Sequence, residues 1–254
     1  MSLEGNMEYA LARVQAQYGV RLTPNDWRRL EASHDLGQYL EVLRNGTFAG
    51  WVAAIDRGHD AHAIERSLRA AWRRYVGIVA TWHPREWQPW LTWLEWLPML
   101  PLLAELARPE PAPAWLTAEP VIGPAAGRSP SERNAVLKRT PLEAFAPGVA
   151  GSVPIPELWL ARWKALQPPA DPMTLQYLSA SSRAVMKHTR QLQSENADGT
   201  ALRAQLAGQL MRLLRAAGGT VVVTLCYLAL MALDYERLRG GLVNRALFTA
   251  SNVR

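Results

Sequence analysis

The stretch TVVVTLCYLALMALDYERLRGG, residues 220–241, decides the fold class. Its opening is rich in β-branched residues and reads either as a short buried strand or as the first turns of a buried helix. The charged residues at its other end favour the helix. Asp234 and Arg237 stand three apart, as do Glu236 and Arg239, the spacing at which opposite charges bridge on one helix. The run Val221–Leu233 holds thirteen residues, apolar except for Thr224, whereas a membrane-spanning helix needs about 20. Asp234 ends that run, so its carboxylate is expected to be at least half buried and to need a charge-assisted partner. Arg13, from the first helix, is the first choice and Arg237 the second.

Outward from this stretch the punctuation is helical. MEYALARVQAQYG sets Tyr9, Ala12, Arg13 and Ala16 on one face and stops near Gly19. TPNDWRRLEAS opens with a cap residue, Thr23, with Pro24 at the first helical position and Asp26 in the first turn. DLGQYLEVLRNG places Leu36, Tyr39, Leu40 and Leu43 at helical spacing. SPSERNAVLK and TPLEAF each begin with a cap residue and proline, and Thr140 with Glu143 reads as a capping box. In GTALRAQLAGQLMRLLRAAGG the expected buried stripe is Leu202, Leu206, Leu210 and Leu213. No alternating strand pattern lasts more than a few residues elsewhere. The expected class is all-α, a multi-helix bundle.

Composition divides the chain into a first helical unit over 1–107, a Pro/Gly/Ala-rich connection with short helices over 108–150, and a second helical unit over 151–254. The segment from Arg108 to Pro130 reads as an excursion or linker. LARVQA (Leu11–Ala16) and LARWKA (Leu160–Ala165) form a short internal echo. The net charge of +6 is unevenly placed. Residues 1–182 hold eighteen basic and eighteen acidic side chains, while 183–254 hold ten basic and four acidic. The C-terminal part therefore suits an acidic partner. A single cysteine, Cys226, excludes an intramolecular disulfide, and the N-terminus lacks the basic and apolar regions of a signal peptide. Both fit a reducing cytoplasm.

Four tryptophans, Trp87, Trp90, Trp93 and Trp96, recur at every third position. No basic residue interleaves with them, as a base-stacking platform would require. They read as core, with a protein-contact surface as the alternative. DRGHDAH offers His59 and His62 with Asp56 and Asp60, but a metal site needs three or four convergent ligands, so a solvated capping loop explains the cluster better. No phosphate-binding glycine loop, nucleophile elbow or nucleic-acid recognition motif is present, and neither cofactor nor catalytic residue is expected. SSRAVMKHTRQ places Arg183, Lys187 and Arg190 on one helical stripe, and Arg212 and Arg215 add cations nearby. A solvated face explains such a stripe, and so does an acidic protein, a nucleic acid or an anionic membrane surface.

Two stretches carry a family resemblance. YALARVQAQYGVRLTPNDWRRLEASHDLGQYLEVLRNGTFAGWV, residues 9–52, resembles the opening of the C subunit of archaeal A-type ATP synthases, the equivalent of the d subunit of V-type ATPases. Tyr9, Arg13, Leu40, Leu43 and Thr47 fall where that pattern wants them, and Phe48 replaces a tyrosine. YLALMALDYERLRGGL, residues 227–242, is similar to the family's closing helix, an acidic residue followed by Asn-Leu-Arg. Asp234 takes the acidic position, Arg237 replaces the asparagine, Leu238 and Arg239 keep the Leu-Arg, and Glu236 lies between. The resemblance implies a fold of repeated helical units, here reduced from three to about two. It implies a non-catalytic central-stalk subunit, cytoplasmic and peripheral on the membrane face, that joins the central shaft to the membrane rotor ring of a proton- or sodium-moving ATPase. The alternative is a stand-alone helical interaction module derived from that family.

Overall fold

The computed structural model describes residues 6–192 and 198–251. Every regular element among the described residues is helical. The chain folds into two compact units, one of Met1–Leu91 with Pro169–Arg254 and one of Thr92–Pro168. The second is thus inserted in sequence between the halves of the first, and the cuts do not fall at the compositional boundaries of 107 and 150.

The first unit begins with α1 (Met7–Gly19), α2 (Pro24–Glu31), α3 (Leu36–Arg44), α4 (Ala49–Val52), α5 (Ala61–Thr81) and α6 (Gln88–Thr92), the last ending at the division. Side-chain oxygens start most of them. Thr23 and Asp26 form the reciprocal pair at α2, each accepting from the other's backbone N–H, at 2.9 and 3.2 Å. Asp35 and Asp60 accept from N–H groups in the first turns of α3 and α5.

In the inserted unit a 3-10 segment, Trp93–Met99, leads into α7 (Leu100–Leu106), α8 (Ala114–Thr117), α9 (Gly123–Ala126), α10 (Pro130–Leu137), α11 (Ala146–Val149) and α12 (Ile155–Ala165). Its proline-rich part is no linker: Leu116, Ile122 and Ala125 are buried in the unit's own core. Prolines break the chain into one-turn helices, and burial of what lies between them supplies the order. Arg133 holds this irregular chain in place. Its guanidinium is buried and donates to the carbonyls of Leu106, Arg108 and Glu110 at 2.7–2.8 Å, closing the open end of α7. Thr140 does not cap with Glu143. Its hydroxyl donates to the Leu137 carbonyl, finishing α10, and accepts from Leu142 N–H in the turn that follows.

The first unit resumes with α13 (Pro172–Leu192), α14 (Gly199–Ala216) and α15 (Val222–Ser251). Gly219, at φ +83°, makes the turn between the last two, a backbone conformation that other residues rarely adopt. α15 is the hub. It packs on α14, α5, α1, α3 and α13, so its first half is buried on several sides and carries no amphipathic stripe. This is why the opening of the deciding stretch looks like a strand: Val221, Val222 and Val223 are all interior. The buried stripe of α14 is Leu206, Leu210 and Leu214, in a four-residue row that excludes Leu213. The two echo segments fall in α1 and α12, one in each unit.

The tryptophans are core. Trp87, Trp90, Trp93 and Trp96 are all buried. Trp87 and Trp90 meet edge to face in the first unit. In the other, Trp93 stacks on Phe145 with centroids 5.4 Å apart and donates from Nε1 to the Trp159 carbonyl. No helix among the described residues is long and apolar enough to cross a membrane.

Candidate functional site

The polar residues of α15 are where the two ends of the chain meet. Asp234 is only 6% exposed. Its partner is Arg21, from the turn between α1 and α2, whose Nε donates to Oδ2 at 2.8 Å and Nη2 to Oδ1 at 3.0 Å. This fork-to-fork geometry is the strong form of the arginine–carboxylate contact. Burial pushes the Asp234 carboxyl above its ordinary value, against the pull of the Arg21 hydrogen bonds and charge. Nearby, the hydroxyls of Tyr227 and Tyr75 hydrogen-bond to each other, and burial raises both phenols.

The expected partners of Asp234 are therefore corrected. Arg13 lies on the outward face of α1, with its guanidinium 4.5 Å from the Trp82 ring centroid, and donates to the Tyr9 hydroxyl at 2.7 Å. Turning Arg13 outward leaves the carboxylate to the arginine that the following turn carries inward. Arg237 is occupied elsewhere. It forks onto Glu31 at 2.6 and 2.7 Å and lies over Trp27 at 4.7 Å. The Arg237 hydrogen bond holds the Glu31 carboxyl below its ordinary value. Hence the Asp234–Arg237 spacing forms no bridge, whereas Glu236 and Arg239 do meet, at 3.4 Å. Arg239 also reaches Glu65 on α5 at 2.6 Å, and Leu238 is fully buried between these polar neighbours in sequence.

Arg245 escaped the reading from sequence. It donates to the carbonyls of Ser33 and Glu31, closing the end of α2, and lies 4.0 Å over the Tyr39 ring. The signal was its position eight residues after Arg237 on the same helical face. His83 was also missed as a partner. It is fully buried, its Nδ1 donates to the Val79 carbonyl at 3.0 Å, and its Nε2 pairs with the Thr224 hydroxyl at 2.8 Å. Burial lowers its pKa, so the ring is neutral and accepts from Thr224.

Arg183, Lys187 and Arg190 lie exposed on α13, and Arg212 and Arg215 exposed on α14. His59 turns its Nδ1 to the Asp56 N–H, and Asp60 caps α5. Among the described residues no group of three or more His, Cys, Asp or Glu side chains is placed to hold a metal ion. Cys226 is buried and its thiol is pushed up to about 12. What the arrangement does chemically is clamp: charged forks and carbonyl contacts fasten α15 to α2, to the turn ahead of it and to α5. Comparison with family models, with curated proteins and with solved structures gives no match for this chain.

Proposed function

We propose that the chain is a non-catalytic coupling subunit of a V/A-type rotary ATPase, a shortened relative of the C and d subunits. On this reading its helical units sit on the cytoplasmic face of the membrane, between the central shaft and the rotor ring, and pass torque by shape and polar contact. One observation supports it above the rest. The two stretches that carry the resemblance, 9–52 and 227–242, come from opposite ends of the chain and fold against each other through Arg21–Asp234 and Glu31–Arg237. A part that transmits torque needs such closure, because an end that frays absorbs the displacement it should pass on. The ion-moving chemistry belongs to the other members of the complex.

The test is purification of the tagged chain from detergent-solubilised membranes of its own cells, followed by identification of the bound proteins. Rotor-ring and central-shaft proteins in near-equal amounts are expected. Their absence, with the chain recovered alone or with unrelated proteins, overturns the proposal in favour of a stand-alone helical interaction module.

A further inference from the structure

We propose that the outer face of the α13–α14 hairpin docks on an anionic lipid bilayer. The inference does not depend on the rotary reading and starts from charge segregation. Residues 172–192 and 199–216 contain six basic side chains and no acidic one. Elsewhere in the first unit several arginines meet carboxylates: Arg21 meets Asp234, Arg44 meets Glu41 and Asp56, Arg237 meets Glu31, and Arg239 meets Glu65. On the hairpin they do not. Lys187, Arg190, Arg212 and Arg215 make no ion pair among the described residues, and Arg183 reaches only the Ser179 hydroxyl.

The helical register explains why these cations stay outside. At 100° per residue, Arg190, Arg183 and Lys187 fall within an arc of about 60°. The opposite side of α13 carries Thr174, Leu178, Ser181 and His188, all buried. Next to the cationic arc, about 40–60° further round, stand Leu175 and Met186, 42% and 44% exposed. The outward face thus pairs a row of long cations with a row of apolar side chains.

That pairing suits a headgroup layer. The ammonium and guanidinium groups meet phosphates while Met186 and Leu175 reach the acyl boundary. A protein partner would want an aromatic anchor. None of the residues on this arc is aromatic. A lipid plane asks for none.

The test uses the purified full-length chain and sedimentation with vesicles of phosphatidylcholine, alone or with about 30% phosphatidylserine. Binding is expected only with phosphatidylserine at 0.1 M salt, and is expected to be lost at 0.5 M, where screening shortens the reach of the charges. Each cation contributes about fivefold to partitioning. Arg183→Gln/Lys187→Gln/Arg190→Gln should therefore lower it on the order of 100-fold, with an unchanged melting temperature because all three are exposed. A control, Arg28→Gln/Lys138→Gln/Arg139→Gln, removes the same charge from exposed positions elsewhere and should leave binding within about fivefold of the parent. No binding to phosphatidylserine vesicles overturns the proposal, as does equal loss in the two triple variants. Tighter retention by polyglutamate or duplex DNA than by the vesicles also overturns it.

Discussion

Removing the Asp234 carboxylate is the sharpest perturbation this structure offers. The side chains of the pair are only 16% (Arg21) and 8% (Asp234) exposed, so Asp234→Ala leaves a guanidinium that has lost both of its forked bonds in a largely dry site. Breaking a buried pair from one side costs about 3–5 kcal/mol. Arg21 retains some access to water and can swing part of its charge outward, which places the expected cost at the low end, about 3 kcal/mol. For a unit of this size that corresponds to a fall in melting temperature of about 6–12 °C. The raised pKa of Asp234 adds a second, less obvious expectation. Burial disfavours the charged carboxylate by more than Arg21 favours it, so the pair gains little over an apolar one. Replacing both partners, as Arg21→Met/Asp234→Leu, should then bring stability back to within about 1 kcal/mol of the parent. Urea denaturation followed at 222 nm, run as a double-mutant cycle, measures both quantities. A cost below about 1 kcal/mol for Asp234→Ala, or a double variant as unstable as the sum of its singles, would refute the reasoning. Arg13→Ala in the same cycle should show no coupling to Asp234.

Other expectations rest on single contacts. Because burial holds the His83 imidazole below its ordinary value of 6.5, the unfolded chain takes up the proton first. The stability that neutral His83 contributes is therefore complete above 6.5 and lost as pH falls below it, and His83→Gln should flatten the fall in urea midpoint between pH 7.5 and 5.5. His188 is shifted the same way by burial, so a residual slope should remain in that variant. In the inserted unit Arg133→Met removes three bonds from a buried charged donor to the carbonyls of Leu106, Arg108 and Glu110. It should cost about 3 kcal/mol and expose the segment after α7 to limited proteolysis; an unchanged digestion pattern would contradict the role given to Arg133. A Cβ at Gly123 would run into the carbonyl oxygen of Thr117, a backbone atom that has no rotamer to change. Gly123→Ala should thus destabilise by about 1–3 kcal/mol, and a melting curve that overlays the parent's would show that the turn can open.

Periodicity and cap chemistry are local, and they were legible residue by residue. Thr23, Pro24 and Asp26 start a helix because their oxygens and ring satisfy or avoid the same few N–H groups in any tertiary setting. The run before Asp234 likewise implied a buried carboxylate in need of a cation, and that cation is there. Its identity was not legible. The expected partners were Arg13 and then Arg237, and it is Arg21 that the α1–α2 turn brings inside. The same holds for Thr140, whose hydroxyl serves the helix behind it, and for the stripe of α14, which moves from Leu213 to Leu214 according to its neighbours.

Composition misled most where prolines are dense. Residues 108–130 look like a linker because no helix can run through them, yet Leu116 and Ile122 have no exposed surface. Local propensity reports how long an element can be, not whether its side chains find a core. The division of the chain lay further still from what sequence could say, since joining Met1–Leu91 to Pro169–Arg254 is a contact made across the whole length of the inserted unit. The sequence by itself determined the helices and the excess of cations near the C-terminus, which depend on neighbours a few residues away, and the large apolar surface of tryptophan set the expectation that the Trp87–Trp96 run is core. Tertiary structure alone decided which arginine meets Asp234, that the proline-rich segment is core, and that Arg183, Lys187, Arg190, Arg212 and Arg215 face out with no ion pair among the described residues, because each of these turns on residues far apart in sequence.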